Sequence, residues 1–583
     1  MSSWLRTIPL CLILLLCSCT TASPGPKEET TGERVQPTGI PFPTATTTPL
    51  SISGLVLDGS SPIANAIVRI QATDLHAISA EDGSFTLELE DPGVESYLLT
   101  GWASGYFCSG PFSASVGDQE VLIQLARHAD DDYEEYHWLP SRFYPGEGEG
   151  QGCAECHSRE GTNLPFSLPV DEWLLDAHAQ SATNPRFISM YNGTDLDGNQ
   201  SPLTSMGYSR DYGSFPLPPD PQKPYYGPGY KLDFPESAGN CSACHTPAAA
   251  VNEPYSTDPN RLSGVEAEGL PCDFCHKVWD VKLDPHNALP YPNMPGVLSL
   301  EFRRPHEGHQ FFAGPLDDVA PGEDTYSEVQ TQSAYCAACH FGVFWDTTIY
   351  NSYGEWLQSP YSDPITGQTC QDCHMPPLGG TQFATDEAGG LTRDPETIFS
   401  HRMPGALDQD FLEDALEMRV FSDVDAGNLS VTVSLYNDNT GHKIPTDSPL
   451  RHMLLIVEAF DLQGVPLEFV EGPTLPLWAG EGSTEEGYYA ALPGKAYALV
   501  LEELWTEISP SGAYWNPTRV VTDTRLNPFE EDVTRYTYEL PDNKVAEVHV
   551  RLLLRRAFID LMDQKGWTDP DILMGERVIA ITP

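Results

Sequence analysis

The apolar positions of this chain change rhythm along its length, and each change predicts a boundary. From 51 to 127 the period is two: Phe85, Leu87 and Leu89 alternate with Ser84, Thr86 and Glu88, which predicts a strand with one buried face. Short apolar runs at 54–57, 66–70 and 121–125 predict further strands. Asp82-Gly83 and Asp91-Pro92-Gly93 are turn sequences that bracket the best of them. This stretch therefore reads as a small β-sandwich.

Between 138 and 401 the alternation disappears. The segment is dense in Pro, Gly, Tyr and Trp and holds few long helical patterns, so 128–418 reads as a largely α and irregular core. At its end Leu407, Phe411, Ala415 and Met418 recur at helical spacing, predicting an amphipathic helix over 405–418. Period two then returns with Leu429, Val431, Val433 and Leu435. The run 453–457 reads as a buried strand, Asp461-Leu-Gln-Gly464 as a hairpin turn, 548–554 as another strand, and 557–564 as a short helix. Residues 419–583 thus read as a second, C-terminal β-sandwich, and the fold class is multidomain.

The first fifty residues fit none of these patterns. Arg6 followed by an apolar run over 8–16 predicts an export signal, and the run is too short for a standing membrane span. The signal spans 1–19 and ends Leu16-Cys17-Ser18-Cys19. Residues 20–50 are rich in Thr, Pro, Ser and Gly and read as an extended tether.

Composition narrows the partners. Over 583 residues, 31 basic side chains face 84 acidic ones, a formal net charge of −53, while 40% apolar content supports folded cores. Such a chain repels nucleic acid and anionic lipid and attracts cations or basic proteins. The acidic stretch Asp130, Asp131, Asp132, Glu134, Glu135 reads as a solvated linker or a docking site for a basic partner.

The candidate chemistry lies in the irregular core. One pattern occurs there five times: Cys153-Ala-Glu-Cys156-His157, Cys241-Ser-Ala-Cys244-His245, Cys272-Asp-Phe-Cys275-His276, Cys336-Ala-Ala-Cys339-His340 and Cys370-Gln-Asp-Cys373-His374. A single C-x-x-C could be half a zinc site or a redox disulfide. Five copies, each followed at once by His in a chain with an export signal, predict five c-type haems. The paired thiols attach one macrocycle edge, and the adjoining imidazole reaches the iron as proximal ligand. Of 14 cysteines, ten sit in these motifs; Cys11, Cys17 and Cys19 lie in the leader, and Cys108 is left over as a small buried side chain. The second and third motifs are close in sequence, as are the fourth and fifth, so those haems are expected to be neighbours.

A second axial His makes a haem a pure electron carrier, whereas an open position permits substrate chemistry. Eleven further His residues are available. His76, His128 and His549 lie in or beside β regions. His137, His178, His286, His306, His309, His401, His442 and His452 are the candidates, more than five irons require. Asp195-Leu-Asp197-Gly-Asn199 begins like a calcium loop, but Met206 stands at the closing position, so it reads as a polar turn.

Three resemblances add to this. The end of the leader resembles the bacterial lipobox, which implies lipid modification of Cys19 and anchoring on the extracytoplasmic side of a bacterial membrane or cell surface. The segments Ser53-Gly54 to Asp58, Pro62 to Ile70 and Glu81-Asp82-Gly83-Ser84-Phe85 resemble the carboxypeptidase regulatory-like β-sandwich, which implies a spacer or adhesion module. From about 136 to 449 the chain resembles the multihaem cytochrome c superfamily that holds the tetrahaem carrier of ammonia oxidisers and hydroxylamine oxidoreductase. The resemblance rests on Glu172-Trp173 to His178, Cys272-Asp-Phe-Cys275-His276-Lys-Val, Gly308-His309-Gln-Phe-Phe-Ala-Gly-Pro, Cys373-His374-Met-Pro, Ser400-His401-Arg-Met-Pro and Asn439-Thr-Gly-His442-Lys-Ile-Pro445. It implies distal ligands at His178, His401 and His442, and also at His286 and His309 with His306 as runner-up. All five motifs end in His, unlike the Lys-ligated catalytic haem of the ammonia-forming nitrite reductases, and no motif marks a tyrosine cross-link.

The resulting expectation is extracytoplasmic electron transfer through five haems, mostly or all bis-His, with redox proteins as partners. The alternatives are a reductase or dehydrogenase of a small nitrogen or sulfur compound at one five-coordinate haem, and a subunit of an extracellular cytochrome assembly.

Overall fold

A computed structural model describes residues 50–89, 94–143, 152–211, 213–540 and 545–582. The leader, the tether, Cys19 and the Asp91-Pro92-Gly93 turn lie outside the described residues.

Strand β1 (Ser51–Asp58) is the spine of the N-terminal sandwich. It pairs antiparallel with β2 (Ser61–Pro62) and β5 (Ser84–Glu88) and parallel with β8 (Val121–Gln124). Facing it, β3 (Ile67–Ile70), β4 (His76–Ile78), β6 (Ser96–Trp102) and β7 (Ser109–Ser115) form a sheet ordered β4-β3-β6-β7. The alternation puts Ile52, Val56, Phe85, Leu87 and Ile123 from one sheet against Val68, Leu99 and Ala114 from the other, all buried in one cluster. Gly54 is needed for the parallel pairing: a Cβ there would stand 1.9 Å from the Val121 carbonyl oxygen.

This sandwich is clamped to the central region by buried polar contacts. Arg69 donates twice to the Asp317 carboxylate at 2.7 and 2.9 Å, and the Ala72 N–H donates to Asp318 at 2.7 Å. Trp102 Nε1 donates to Thr325 Oγ1 at 3.0 Å, and the Cys108 N–H to the Asp324 carbonyl at 2.7 Å. Asp318 also holds Arg393 at 2.9 Å, with side-chain exposures of 3% and 5%. Removing one partner of such a buried pair strands the other charge. Asp318→Ala is therefore expected to cost about 3–5 kcal/mol and to open the 128–136 segment to limited proteolysis.

The central region has few long elements. Four two-stranded ribbons, β9 (Met206–Ser209) with β10 (Gly213–Pro216), β11 (Val278–Val281) with β12 (Leu300–Phe302), β13 (Phe312–Gly314) with β14 (Asp324–Tyr326) and β15 (Gly342–Phe344) with β16 (Thr347–Tyr350), stand among short helices. No helix among the described residues is long and apolar enough to cross a membrane. Asp195 closes its own loop by accepting from the Asn199 backbone at 2.8 Å and side chain at 2.7 Å, a polar turn.

The C-terminal sandwich contains β17 (Glu417–Asp425), β18 (Asn428–Tyr436), β19 (His452–Phe460), β20 (Phe469–Glu471), β21 (Gly494–Glu503), β22 (Thr518–Asp523), β23 (Glu531–Glu539), β24 (Ala546–Arg555) and β25 (Ile572–Ile581). Its sheets are ordered β17-β18-β23-β20 and β22-β21-β19-β24-β25. Leu429, Val431, Val433 and Leu435 face Met453, Leu455 and Val457 across a core with essentially no exposure. The other face of β19 is also covered, with Leu454 and Ile456 under Leu475, Ala479 and Tyr489, which is why its sequence is continuously apolar.

The helix expected over 405–418 is a correction. Only Gln409–Glu413 is helical, and Met418 belongs to β17, paired with Leu435 of β18. Nine cross-strand pairs along that hairpin outweigh a weak helical periodicity. The sandwich is keyed to the centre by Lys565, at the end of the helix Ile559–Lys565. Its buried ammonium donates to the carbonyls of Pro228 at 2.6 Å and of Ser189 and Thr194 at 3.1 Å.

Candidate functional site

Each C-x-x-C-H motif folds as about one helical turn. The His157, His245 and His276 N–H groups donate to the carbonyls of Cys153, Cys241 and Cys272 at 2.9, 3.0 and 3.1 Å. Helical turns run Ala154–His157, Ser242–His245, Cys272–Cys275, Ala334–His340 and Cys370–His374. Residues i and i+3 share a helix face, so both thiols of a motif can meet one partner while the next residue turns past it. Gly296 allows the turn of the second motif to be approached closely. With φ at +59°, a Cβ there would lie 2.1 Å from the Ala243 oxygen and 2.9 Å from Cys244 Sγ.

The motifs touch through their cysteines. Cys153 lies beside Cys272, Cys244 beside Cys339, and Cys336 beside Cys370. Tyr335, beside Cys336, donates to the Cys275 carbonyl at 3.0 Å. The fourth motif therefore adjoins the second, third and fifth, and the first adjoins the third. The fourth and fifth motifs, close in sequence, are in contact. The second motif makes its cysteine contact with the fourth and the third with the first, while Ala243 and Phe274 of the second and third share one buried cluster.

Three motif imidazoles face a histidine from outside the motifs. His276 and His401 have ring centroids 6.4 Å apart, His374 and His442 6.4 Å, and His178 and His340 6.2 Å. Two imidazoles sharing one metal through Nε2, each nitrogen about 2 Å from the ion and about 1.2 Å from its own ring centre, would sit roughly 6.4 Å apart. The donor chemistry and the spacing both fit an axially bound iron.

The other ring nitrogen is engaged in most of these histidines, as metal ligation favours, while the buried Nδ1 of His401 has no hydrogen-bond partner among the described residues. Nδ1 of His157, His276 and His374 meets the carbonyls of Phe383, Ala313 and Pro404 at 2.6, 2.7 and 2.7 Å. His442 uses Lys443 O at 2.9 Å, His245 uses Ser181 O at 3.4 Å, and His178 uses Asp176 at 2.6 Å. His340 lies 3.5 Å from the Asp447 carboxylate. Burial, then the nearby His442, pulls His374 down to about 4; burial, then His276, does the same to His401. Both are neutral at pH 7, the state in which imidazole binds a metal. His340 is the exception: burial lowers it, but Asp447 outweighs that and raises it.

The remaining predicted residues lie elsewhere. His286 is exposed in a turn capped by Asp284. His309 is 67% exposed and meets Glu323 at 2.9 Å, while His306 is exposed, meets Asp131 at 2.9 Å and stacks on Tyr133. Neither His286, His306 nor His309 pairs with a motif ring. His137 is exposed, His128 is enclosed by Phe107, Trp279 and Phe311, and His452 by Trp478 and Phe558. His157 and His245 have no histidine ring partner among the described residues. The imidazole of His245 is stacked by Phe187 at 3.8 Å and 3°.

Several residues that the sequence did not single out position the site. The Glu172 carboxylate accepts the His401 N–H at 2.7 Å. Glu355 accepts the Lys443 N–H at 3.1 Å and the Thr446 hydroxyl at 2.6 Å, and pairs with Arg525 at 3.0 Å. Arg525 and Lys443 also hold Asp523 at 2.9 and 2.8 Å. Only Asp176, two residues before His178, carried a local signal, since Asp readily turns back onto the following backbone.

This cluster makes stability depend on acid. Burial would raise the Asp523 carboxyl, but its bonds and charges to Arg525 and Lys443 prevail and hold it at about 2, below the usual 3.8. A depressed carboxylate contributes stability that is present above its unfolded pKa and lost as pH falls through the folded one. Asp523→Asn is therefore expected to be less stable than the parent at pH 6, with the gap closing between pH 4 and 2 in denaturant titrations.

No protein-family model and no curated protein matches the chain. Among solved structures it is similar to a penta-heme cytochrome c552 from Thermochromatium tepidum, at 17% identity and TM-score 0.48, over 74% of this chain and 97% of that one. That likeness is too loose to bear on function, and the motif geometry stands by itself.

Proposed function

We propose that the chain is an electron-transfer protein carrying five covalently bound c-type haems. The observation that carries this is the set of three ring pairs at 6.2–6.4 Å, each joining a C-x-x-C-H imidazole to a histidine outside the motifs. When bound, the haems supply one-electron carriers whose potentials follow axial ligand, burial and hydrogen bonding. The protein's own part is positional. Cys153, Cys156, Cys241, Cys244, Cys272, Cys275, Cys336, Cys339, Cys370 and Cys373 are the attachment points. His157, His245, His276, His340 and His374 are the proximal ligands, and His401, His178 and His442 the distal ligands for the third, fourth and fifth motifs. The cysteine contacts between motifs make the fourth a junction for the second, third and fifth, with the first joined through the third.

The setting belongs to the same proposal: export, lipid anchoring at Cys19, and a basic redox partner drawn by the acidic surface. A second reading is favoured by His157 and His245, which lack a histidine partner among the described residues. One of those irons would be open to a small nitrogen or sulfur compound, or closed by a ligand from a neighbouring chain.

Intact-mass analysis of the exported protein tests the main reading. The mass should exceed the mature chain by five haems, and by four in a Cys241→Ala/Cys244→Ala variant. A chain of unadorned mass would sink it. Carbon monoxide binding to the native protein would bring in the second reading.

A further inference from the structure

Four low-exposure arginines of this acidic chain each have a carboxylate partner. Arg304 holds Asp132 at 2.7 Å, Arg393 holds Asp318 at 2.9 Å, Arg525 holds Glu355 at 3.0 Å and Arg555 holds Asp571 at 2.7 Å. The arginines at the ends of β19 and β24 are balanced differently. Arg451 immediately precedes β19 and Arg556 immediately follows β24. These strands are antiparallel with His452 opposite Arg555, so the register sets Arg451 across from Arg556. Like charges opposite each other on neighbouring strands are destabilising. Arg186, from the helix Pro185–Asn192, joins them through Asp569, at 2.7 Å from Arg186 and 3.9 Å from Arg556.

Asp569 is half-exposed and, among the described residues, is the only carboxylate paired with Arg186 or Arg556. Asp447 lies within electrostatic reach of Arg451 but is engaged by His340. Burial, then the charge of Arg186, pushes Arg556 down to about 10. Two guanidiniums sharing one carboxylate, with Arg451 set across from Arg556, form an unbalanced positive site in a chain with a net charge of −53. Guanidinium forks match carboxylates and other oxyanions. The position fits the motif array: Phe187, next to Arg186, stacks on His245, and Arg451 lies in the field of His442.

We propose that Arg186, Arg451 and Arg556 form a receptor for an oxyanion, either the carboxylate of a porphyrin held by an adjacent motif or a free oxyanion from solution. The first source rests on the haem reading above; the second does not.

The test uses the full-length, haem-loaded protein with Arg451→Gln, Arg556→Gln, Arg186→Gln and Arg556→Lys. Each is followed by redox titration and by calorimetric titration with sulfate, a redox-inert probe. A positive charge beside a haem disfavours its oxidised form. For the porphyrin source, one haem midpoint falls in the Gln variants and returns in Arg556→Lys, with no saturable sulfate binding. For the free source, wild type binds sulfate saturably, the Gln variants bind it at least tenfold more weakly, and midpoints without sulfate do not move. Arg186→Gln leaves the strand pair intact and serves if the other Gln variants do not fold. Wild-type midpoints together with a wild-type sulfate response in the Gln variants overturn the proposal. A wild-type chain without covalent haem overturns the haem reading instead, and the sulfate titration still decides the receptor.

Discussion

His442→Ala is expected to turn the low-spin ferric haem of the fifth motif high-spin and to add carbon monoxide binding at that haem. The His442 ring stands 6.4 Å from His374 at an interplanar angle of 20°, with its Nδ1 engaged by the Lys443 carbonyl, so Nε2 is directed at the shared position. Removing it frees one axial site without touching the attachment cysteines, so covalent haem content should stay at five. Electron paramagnetic resonance and the carbon monoxide difference spectrum read the outcome. His401→Ala and His178→Ala should each behave alike for the third and fourth motifs. His452→Ala, enclosed by Trp478 and Phe558, and His286→Ala, on a surface turn, should leave the spectrum unchanged. A His442→Ala protein with an all-low-spin spectrum would remove the fifth motif from the proposal.

The second large effect is expected at Arg525. Its side chain is 8% exposed and bridges Glu355, 4% exposed and in the central region, to Asp523 at the end of β22. Arg525→Ala leaves a buried carboxylate without its cation, which costs about 3–5 kcal/mol. Glu355 also accepts from Lys443 and Thr446, so the loop bearing His442 loosens with it. We expect a destabilised junction in chemical denaturation, followed by tryptophan fluorescence, and a partly high-spin fifth haem. The paired variant Glu355→Gln/Arg525→Met, which removes both charges, should recover most of the loss, because the desolvated charge and not the missing contact dominates the cost. Equal damage in the single and paired variants would contradict that account.

The parts that could be read from the chain alone are local. Phe85, Leu87 and Leu429 to Leu435 reveal their strands because burial of one face imposes period two within a few residues. The five motifs are legible for a similar reason, since both thiols and the imidazole belong to one helical turn. Where local patterns competed, reading failed. Leu407, Phe411, Ala415 and Met418 fit a helix, yet Met418 is taken by a strand whose partner lies beyond the next turn.

The sequence by itself therefore determined the motifs: which cysteines and adjoining histidines repeat, and how many times. Tertiary structure decided the rest of each site. It placed His178, His401 and His442 opposite motif rings while leaving His286, His306 and His309 on the surface. It brought Asp447 to His340 and Glu172 to His401, set Arg451 across from Arg556 at the ends of β19 and β24, and joined Arg186 to Arg556 through Asp569. A bond within one turn depends on spacing along the chain, whereas an axial partner or a shared counter-charge depends on which distant segments fold to within a few ångströms of each other.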